Sequence, residues 1–176
     1  MRRVYLAGPD VFLPRPWERG EVLRAICAQY GLEGVFPLDG SEPGDAIPPA
    51  AVIAAANEAH IRNCDAVLAN LTPFRGASAD AGTVYEVGFA RGLGRPVVGY
   101  SNDARTYEQR CAQGPADGLA VEAFGLAENL MIACGVDALY ACTVAEGALW
   151  TDLAGVHLAA RRIAGLLSGT SAGATG

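Results

Sequence analysis

The segment Asp65-Ala66-Val67-Leu68-Ala69-Asn70-Leu71 constrains the fold more than any other part of the chain. Its apolar character is continuous instead of alternating, as in a strand covered on both faces. Such strands belong to parallel sheets, whose neighbours must be joined by long crossovers, usually helices. The remaining sequence supplies those parts. Val4-Tyr5-Leu6-Ala7 ends at Gly8-Pro9, and Gly34 to Leu38 and Arg95 to Tyr100 are similar short apolar runs. Ala141 to Val144 reads as a short fifth strand.

Helical patterns fall between these runs. From Trp17 to Tyr30, Val22, Leu23, Ile26 and Cys27 share one face, and Gly31 suits a helix C-terminus. Ala50 to Asn63 is Ala-rich, and further helices are predicted over Asp80 to about Leu93, Val121 to Cys134 and Leu149 to Leu167. Pro37 to Pro49 is a loop rich in Pro, Gly and Asp, and Thr72 to Ser78 is another. Ser101 to Gly118 is long, polar and irregular, the best candidate for a mobile segment. The Gly/Ser/Ala-rich tail, Ser168 to Gly176, is expected to be disordered. The pattern predicts one α/β domain over residues 1–167, a doubly wound parallel sheet of about five strands with helices on both faces. Ligands of such sheets sit beyond the carboxyl ends of the strands, here the loops Gly8 to Phe12, Pro37 to Asp45, Asn70 to Ser78 and Ser101 onward.

Composition removes several chemistries. A net charge of −6 argues against a nucleic-acid polymer, though not against an uncharged nucleoside. The chain has no lysine, which excludes P-loop and Schiff-base chemistry, and no GxGxxG occurs. His60 and His157 are the only histidines, too few for a zinc-type cluster, so no metal is expected and both read as structural or solvated. Trp17 and Trp150 read as packing residues. Five cysteines without a CxxC pair point to reduced thiols and a cytoplasmic protein. The first apolar run is too short for a signal peptide or a membrane span, so no membrane partner is expected.

Two carboxylates then stand out on the Asp80 helix. Asp80 follows a Gly/Ser-rich turn, and Glu86 lies six residues on, roughly 9 Å along a helix axis. That is wide for two acids acting on one bond but suits the two ends of a small bound molecule. Glu86 shares a stripe with Gly82, Thr83, Phe89, Ala90 and Leu93, and the small Gly82 and Thr83 leave room before the carboxylate. On spacing alone, Asp80 is equally an N-terminal helix cap and Glu86 equally a surface or ion-paired residue. Asp10 and Phe12 follow the first strand and are candidates for a base pocket, with turn capping the alternative for Asp10. Phe74 and Arg75 could stack on a purine or form an exposed loop.

Three stretches taken together resemble nucleoside 2-deoxyribosyltransferases: Tyr5-Leu6-Ala7-Gly8-Pro9-Asp10-Val11-Phe12, Cys64 to Gly76, and Asp80 to Gly88. Asn129-Leu130-Met131 extends the match. The resemblance implies a flavodoxin-like fold, assembly as homo-oligomers, and no cofactor. It implies Glu86 as nucleophile on the anomeric carbon, Asp80 as a nucleoside-binding group, and Tyr5 as a contact of the nucleophile. It also implies that Asn129, with Met131 beside it, completes the site of a neighbouring subunit. Asn57 falls where some members carry an aspartate facing the base, and Gly8 lies in the matching turn. The Thr72-Pro73-Phe74-Arg75-Gly76 loop resembles the branch that often handles purines.

The implied activity is transfer of 2-deoxyribose between nucleobases through a covalent ester on Glu86, with a 2-deoxynucleoside and a free base as partners. One alternative is an N-glycosidase acting on a 2-deoxynucleoside or its 5-monophosphate. Related hydrolases carry a serine at the Asp80 position and a Gly-rich, Arg-containing turn after the first strand, and this chain has neither. The other alternative is a non-enzymatic flavodoxin-like binding module, in which Glu86 is only structural.

Overall fold

The computed structural model describes residues 1–114 and 118–169. Its strands are β1 (Arg2–Ala7), β2 (Leu32–Val35), β3 (Ala66–Asn70), β4 (Val97–Ser101) and β5 (Ala138–Ala141). All pair in parallel, in the order β2-β1-β3-β4-β5. That is the flavodoxin-like order, and its switch point lies between β1 and β3. The helices are α1 (Pro16–Gln29), α2 (Ala50–Arg62), α3 (Ala81–Gly92), α4 (Tyr107–Cys111), α5 (Leu130–Ala133) and α6 (Ala154–Gly169), with a 3₁₀ turn at Pro9–Phe12.

Strand side chains alternate between two apolar layers, which explains why the runs are continuous in sequence. Val4, Leu6, Ala66 and Leu68 join Leu23, Ile26, Val156, Ala160 and Ile163 beneath α1 and α6. Tyr5, Ala7, Val67 and Ala69 join Ile61, Val87, Ala90 and Ile132 on the opposite face, beneath α2, α3 and α5. No helix among the described residues is long and apolar enough to cross a membrane.

Several boundaries differ from the sequence pattern, each for a local reason. β2 stops at Val35 because Asp39 Oδ2 accepts from Phe36 N at 2.9 Å and folds the chain into a turn. The helix expected over Val121 to Cys134 is confined to Leu130–Ala133. Gly125 lies in the left-handed region at φ 67, and the Ala127 carbonyl is taken at 2.7 Å by Arg110, so a helical ladder cannot run through them. β5 begins three residues before the expected strand, at Ala138. α6 starts at Ala154, not Leu149, because Asn102 Nδ2 captures the carbonyls of Leu149 and Asp152.

Val22 is 41% exposed, and Gly20 takes the packed position on α1 instead. A Cβ there would sit 2.8 Å from the Phe36 ring. Within the segment expected to be mobile, Thr106 and Gln109 form a reciprocal capping box that starts α4. Residues 115–117 of that segment lie outside the described residues. Ser168 and Gly169, placed in the tail by the sequence, complete α6. The rest of the tail, 170–176, lies outside the described residues.

Candidate active site

Three elements converge on Glu86. Tyr5 points from β1 into the layer beneath α2 and α3, and its hydroxyl donates to Glu86 Oε1 at 2.6 Å. Asn57 on α2 donates from Nδ2 to the same oxygen at 3.3 Å. One turn along α2, the His60 ring stacks on Tyr5 with centroids 6.4 Å apart. The carboxylate is thus held by partners 81 and 29 residues away in the chain.

The electrostatics follow from this placement. Burial raises the Glu86 pKa, the Tyr5 hydrogen bond lowers it, and the Asp80 charge raises it, leaving it pushed up to about 7. Burial, reinforced by the Glu86 charge, holds the Tyr5 phenol well above its usual range, so it serves as a proton donor. A carboxylate poised near neutrality in a half-buried site can act as a nucleophile or a base. The Asn57 Oδ1 atom is buried with no hydrogen-bond partner among the described residues.

Asp80 is the N-cap of α3, its Oδ2 accepting from Thr83 N at 2.9 Å and Thr83 Oγ1 at 3.1 Å. Oδ1 has no hydrogen-bond partner among the described residues, so capping leaves one oxygen for a ligand. A Cβ on Gly82 would lie 3.0 Å from Asp80 Oδ2, which keeps this position small.

Asn129 caps α5, where its Oδ1 accepts from Met131 N at 3.0 Å. Its Nδ2 donates to Glu122 at 3.0 Å. No hydrogen bond among the described residues joins Asn129 to Glu86, Asp80 or Tyr5. Met131 beside it is 75% exposed.

The turn after β1 is braced from within. Asp10 is buried, with Oδ1 accepting from Arg19 Nε and Oδ2 from Asn70 Nδ2, both at 2.7 Å. Asp10 therefore does not line an open pocket as the sequence suggested. Its oxygens are committed to α1 and to the end of β3. Gly8 packs so closely on β3 that a Cβ would meet Asn70 Cβ at 2.7 Å.

Phe12 stacks on Phe74 at 5.2 Å, and Arg75, at φ 57, lays its guanidinium over both rings. Trp150 meets Phe74 edge-on at 6.0 Å, so it belongs to this exposed-edge cluster and not to the buried layers.

Two features go beyond what the sequence marks. A cavity of about 360 Å³ opens beside Asn57, walled by Trp17, Leu38, Ser41, Ile53 and His60. Its walls come from α1, α2 and the loop after β2, one of the loops that sheet topology marks for ligands. Trp17 closes it by donating Nε1–H to the Ser41 carbonyl at 3.1 Å. The second feature is a buried ion pair, Arg110 with Glu128, at 3.0 Å. Glu128 directly precedes the Asn129 motif, while Arg110 lies 18 residues before Glu128 with no spacing rule to join them.

Comparison with known proteins follows the same lines. A family model described as nucleoside 2-deoxyribosyltransferase matches residues 4–131. A solved 2-desoxiribosyltransferase from Leishmania mexicana is 33% identical, with 87% of this chain and 97% of that chain covered and a TM-score of 0.68. An uncharacterized protein of Schizosaccharomyces pombe is 32% identical over 155 residues, 73% of this chain and 74% of its own. A 2-deoxyribosyltransferase from Bacillus psychrosaccharolyticus, 19% identical with a TM-score of 0.53, covers 78% of this chain and 85% of its own and agrees in fold.

Proposed function

The chain belongs to the nucleoside 2-deoxyribosyltransferase family, and from that premise we propose that it transfers 2-deoxyribose from one nucleobase to another. The observation that carries this reading is the Glu86 carboxylate, half-buried and held by the Tyr5 hydroxyl at 2.6 Å and by Asn57, whose other neighbour is an open cavity.

In the first step a Glu86 oxygen bonds to the anomeric carbon as the N-glycosidic bond breaks, and its electron pair leaves with the base. In the second step a ring nitrogen of the incoming base attacks the same carbon, and the ester electrons return to Glu86. The departing base takes up a proton and the incoming base releases its ring N–H proton, so two inversions retain configuration and the steps balance without a further reactant. A 2-deoxy sugar favours the cation-like transition state because it lacks an electron-withdrawing hydroxyl. Tyr5 holds the free carboxylate in position and stabilises its charge. Asp80 uses Oδ1 to accept from a sugar hydroxyl, and its charge disfavours a 5-phosphate.

The cavity beside Asn57 receives the base, with Asn57 at its inner end. Asn129 has no hydrogen bond to Glu86 among the described residues and stands two residues before an exposed Met131, which favours service to a neighbouring subunit's site in a homo-oligomer. A partner seated there excludes the water that would hydrolyse the ester.

The test is incubation of deoxyinosine with adenine, read by chromatography. Deoxyadenosine and hypoxanthine in equal amounts are expected, and Glu86→Ala should form neither. Hypoxanthine with free deoxyribose alone would identify an N-glycosidase instead.

A further inference from the structure

The Arg110–Glu128 pair lies outside the residues assigned to the reaction, yet it touches the chain immediately before two of them. Both side chains are all but excluded from solvent, at 2% and 1% exposure. Glu128 Oε1 accepts from Ser78 Oγ at 2.6 Å and from Asn129 N at 3.0 Å. Glu128 Oε2 accepts from Ala79 N at 3.2 Å and from Arg110 at 3.0 Å. Arg110 in turn donates to the carbonyls of Ala77, Arg105 and Ala127 at 2.6, 2.7 and 2.7 Å. The loop ending at Ala79 delivers Asp80 to the start of α3, and the segment ending at Glu128 delivers Asn129 to the start of α5.

We infer that Arg110 and Glu128 are positioning residues that hold Asp80 and Asn129 in one fixed geometry through a shared buried hydrogen-bond lattice. The inference rests on the proposed transfer reaction. A carboxylate has enough acceptor sites for four donors, and a guanidinium has a planar fork of donors, so this pair can tie three otherwise irregular segments together where a neutral pair could not. Neither residue touches the side chain of Asp80 or of Asn129. Their action passes through the backbone at Ala79 and Asn129 and through Ser78. If Asn129 serves a neighbouring site, the same pair sets the geometry of two sites at once.

The test uses the full chain and two variants. Arg110→Met with Glu128→Leu removes both charges at similar volume, but it takes their partner from the carbonyls of Ala77, Arg105 and Ala127 and from the N–H groups of Ala79 and Asn129, so its Tm should fall. Ser78→Ala deletes one member of the lattice, keeps the buried ion pair intact, and stays readable if the double variant is insoluble. For each, the Tm, the kinetics of deoxyinosine–adenine exchange and the hydrogen-exchange rate of the Thr83 amide are measured. That amide donates to Asp80 Oδ2 and reports on Asp80 without requiring activity.

The expected result is a Tm near that of wild type for Ser78→Ala and a lower one for the double variant, with faster Thr83 exchange and kcat/KM for deoxyinosine lower by at least about tenfold in both. The loss should fall mainly in the KM of the nucleoside, with the KM of adenine unchanged. A purely structural pair would leave that split unmoved. Thr83 exchange and kcat/KM both within about twofold of wild type would overturn the inference, as would faster exchange with unaltered kinetics. A wild-type protein without transfer activity would instead overturn the proposed reaction, and the Thr83 exchange rates would then decide the lattice's hold on Asp80 alone.

Discussion

Tyr5 and Glu86, 81 positions apart, share a 2.6 Å hydrogen bond that ties the first strand to the middle of α3. The phenol cannot compete for the proton, because burial and the Glu86 charge keep it protonated. The bond therefore favours the ionised carboxylate and opposes the burial that pushes the Glu86 pKa up to about 7.

Tyr5→Phe removes that favourable contact. A hydrogen bond to a charged group is worth about 1.5–3 kcal/mol, or roughly one to two pH units. Activity through an ionised Glu86 should rise with pH along a limb near 7, and in the variant this limb should move upward. Rates of deoxyinosine–adenine exchange from pH 5 to 9 measure it, and an unmoved limb would exclude Tyr5 from setting the charge state.

Glu86→Gln should stabilise the fold at alkaline pH. Glu86 has a folded pKa of about 7 against an ordinary 4.5, so the folded state binds more protons than the unfolded state between those values. Its contribution to stability is fully present below about 4.5, is lost as pH rises towards 7, and is constant above that. The shift corresponds to about 3 kcal/mol. Urea unfolding of both proteins at pH 5 and pH 8 should show the variant gaining on wild type only at the higher pH.

Asn57→Asp places a second carboxyl against Glu86 Oε1, where Asn57 Nδ2 now donates at 3.3 Å. A like charge disfavours ionisation, so the activity limb should shift to higher pH. Ranking the free bases accepted by each protein tests a second consequence, an altered preference through the cavity beside Asn57. Equal rankings and equal pH profiles would remove Asn57 from both roles.

Asn129 offers a genetic test of the shared site. If it completes a neighbour's site, Glu86→Ala and Asn129→Ala proteins, each nearly inactive, should recover activity when mixed and allowed to exchange subunits. Random assortment in a dimer restores about a quarter of the sites. Sedimentation of the mixture should show an oligomer, and absence of recovery would place Asn129 within its own subunit's site.

Much of this was legible in the chain. The uninterrupted apolar run at Ala66–Leu71 demanded a sheet covered on both faces, and the structure places Leu68 and Val67 in opposite layers. The helix carrying Asp80 and Glu86 was readable to within a residue at each end, because capping and periodicity are local. Asp10 was misjudged because its partners, Arg19 and Asn70, lie 9 and 60 residues away and no spacing rule joins them. The helix expected over Val121 to Cys134 failed for a similar reason, since Arg110 takes the Ala127 carbonyl from a distance.

By itself the sequence determined the layered parallel architecture, the position of the two acids on one helix and the absence of lysine-dependent chemistry. These follow from local periodicity and from residue types that are simply present or missing. The tertiary structure alone decided that Glu86 is half-buried and shares one oxygen between Tyr5 and Asn57, that Asp80 keeps one oxygen free, and that Arg110 and Glu128 join the two loops by hydrogen bonds. Charge state and reach depend on which distant groups share a low-dielectric space, and that is a property of packing, not of order along the chain.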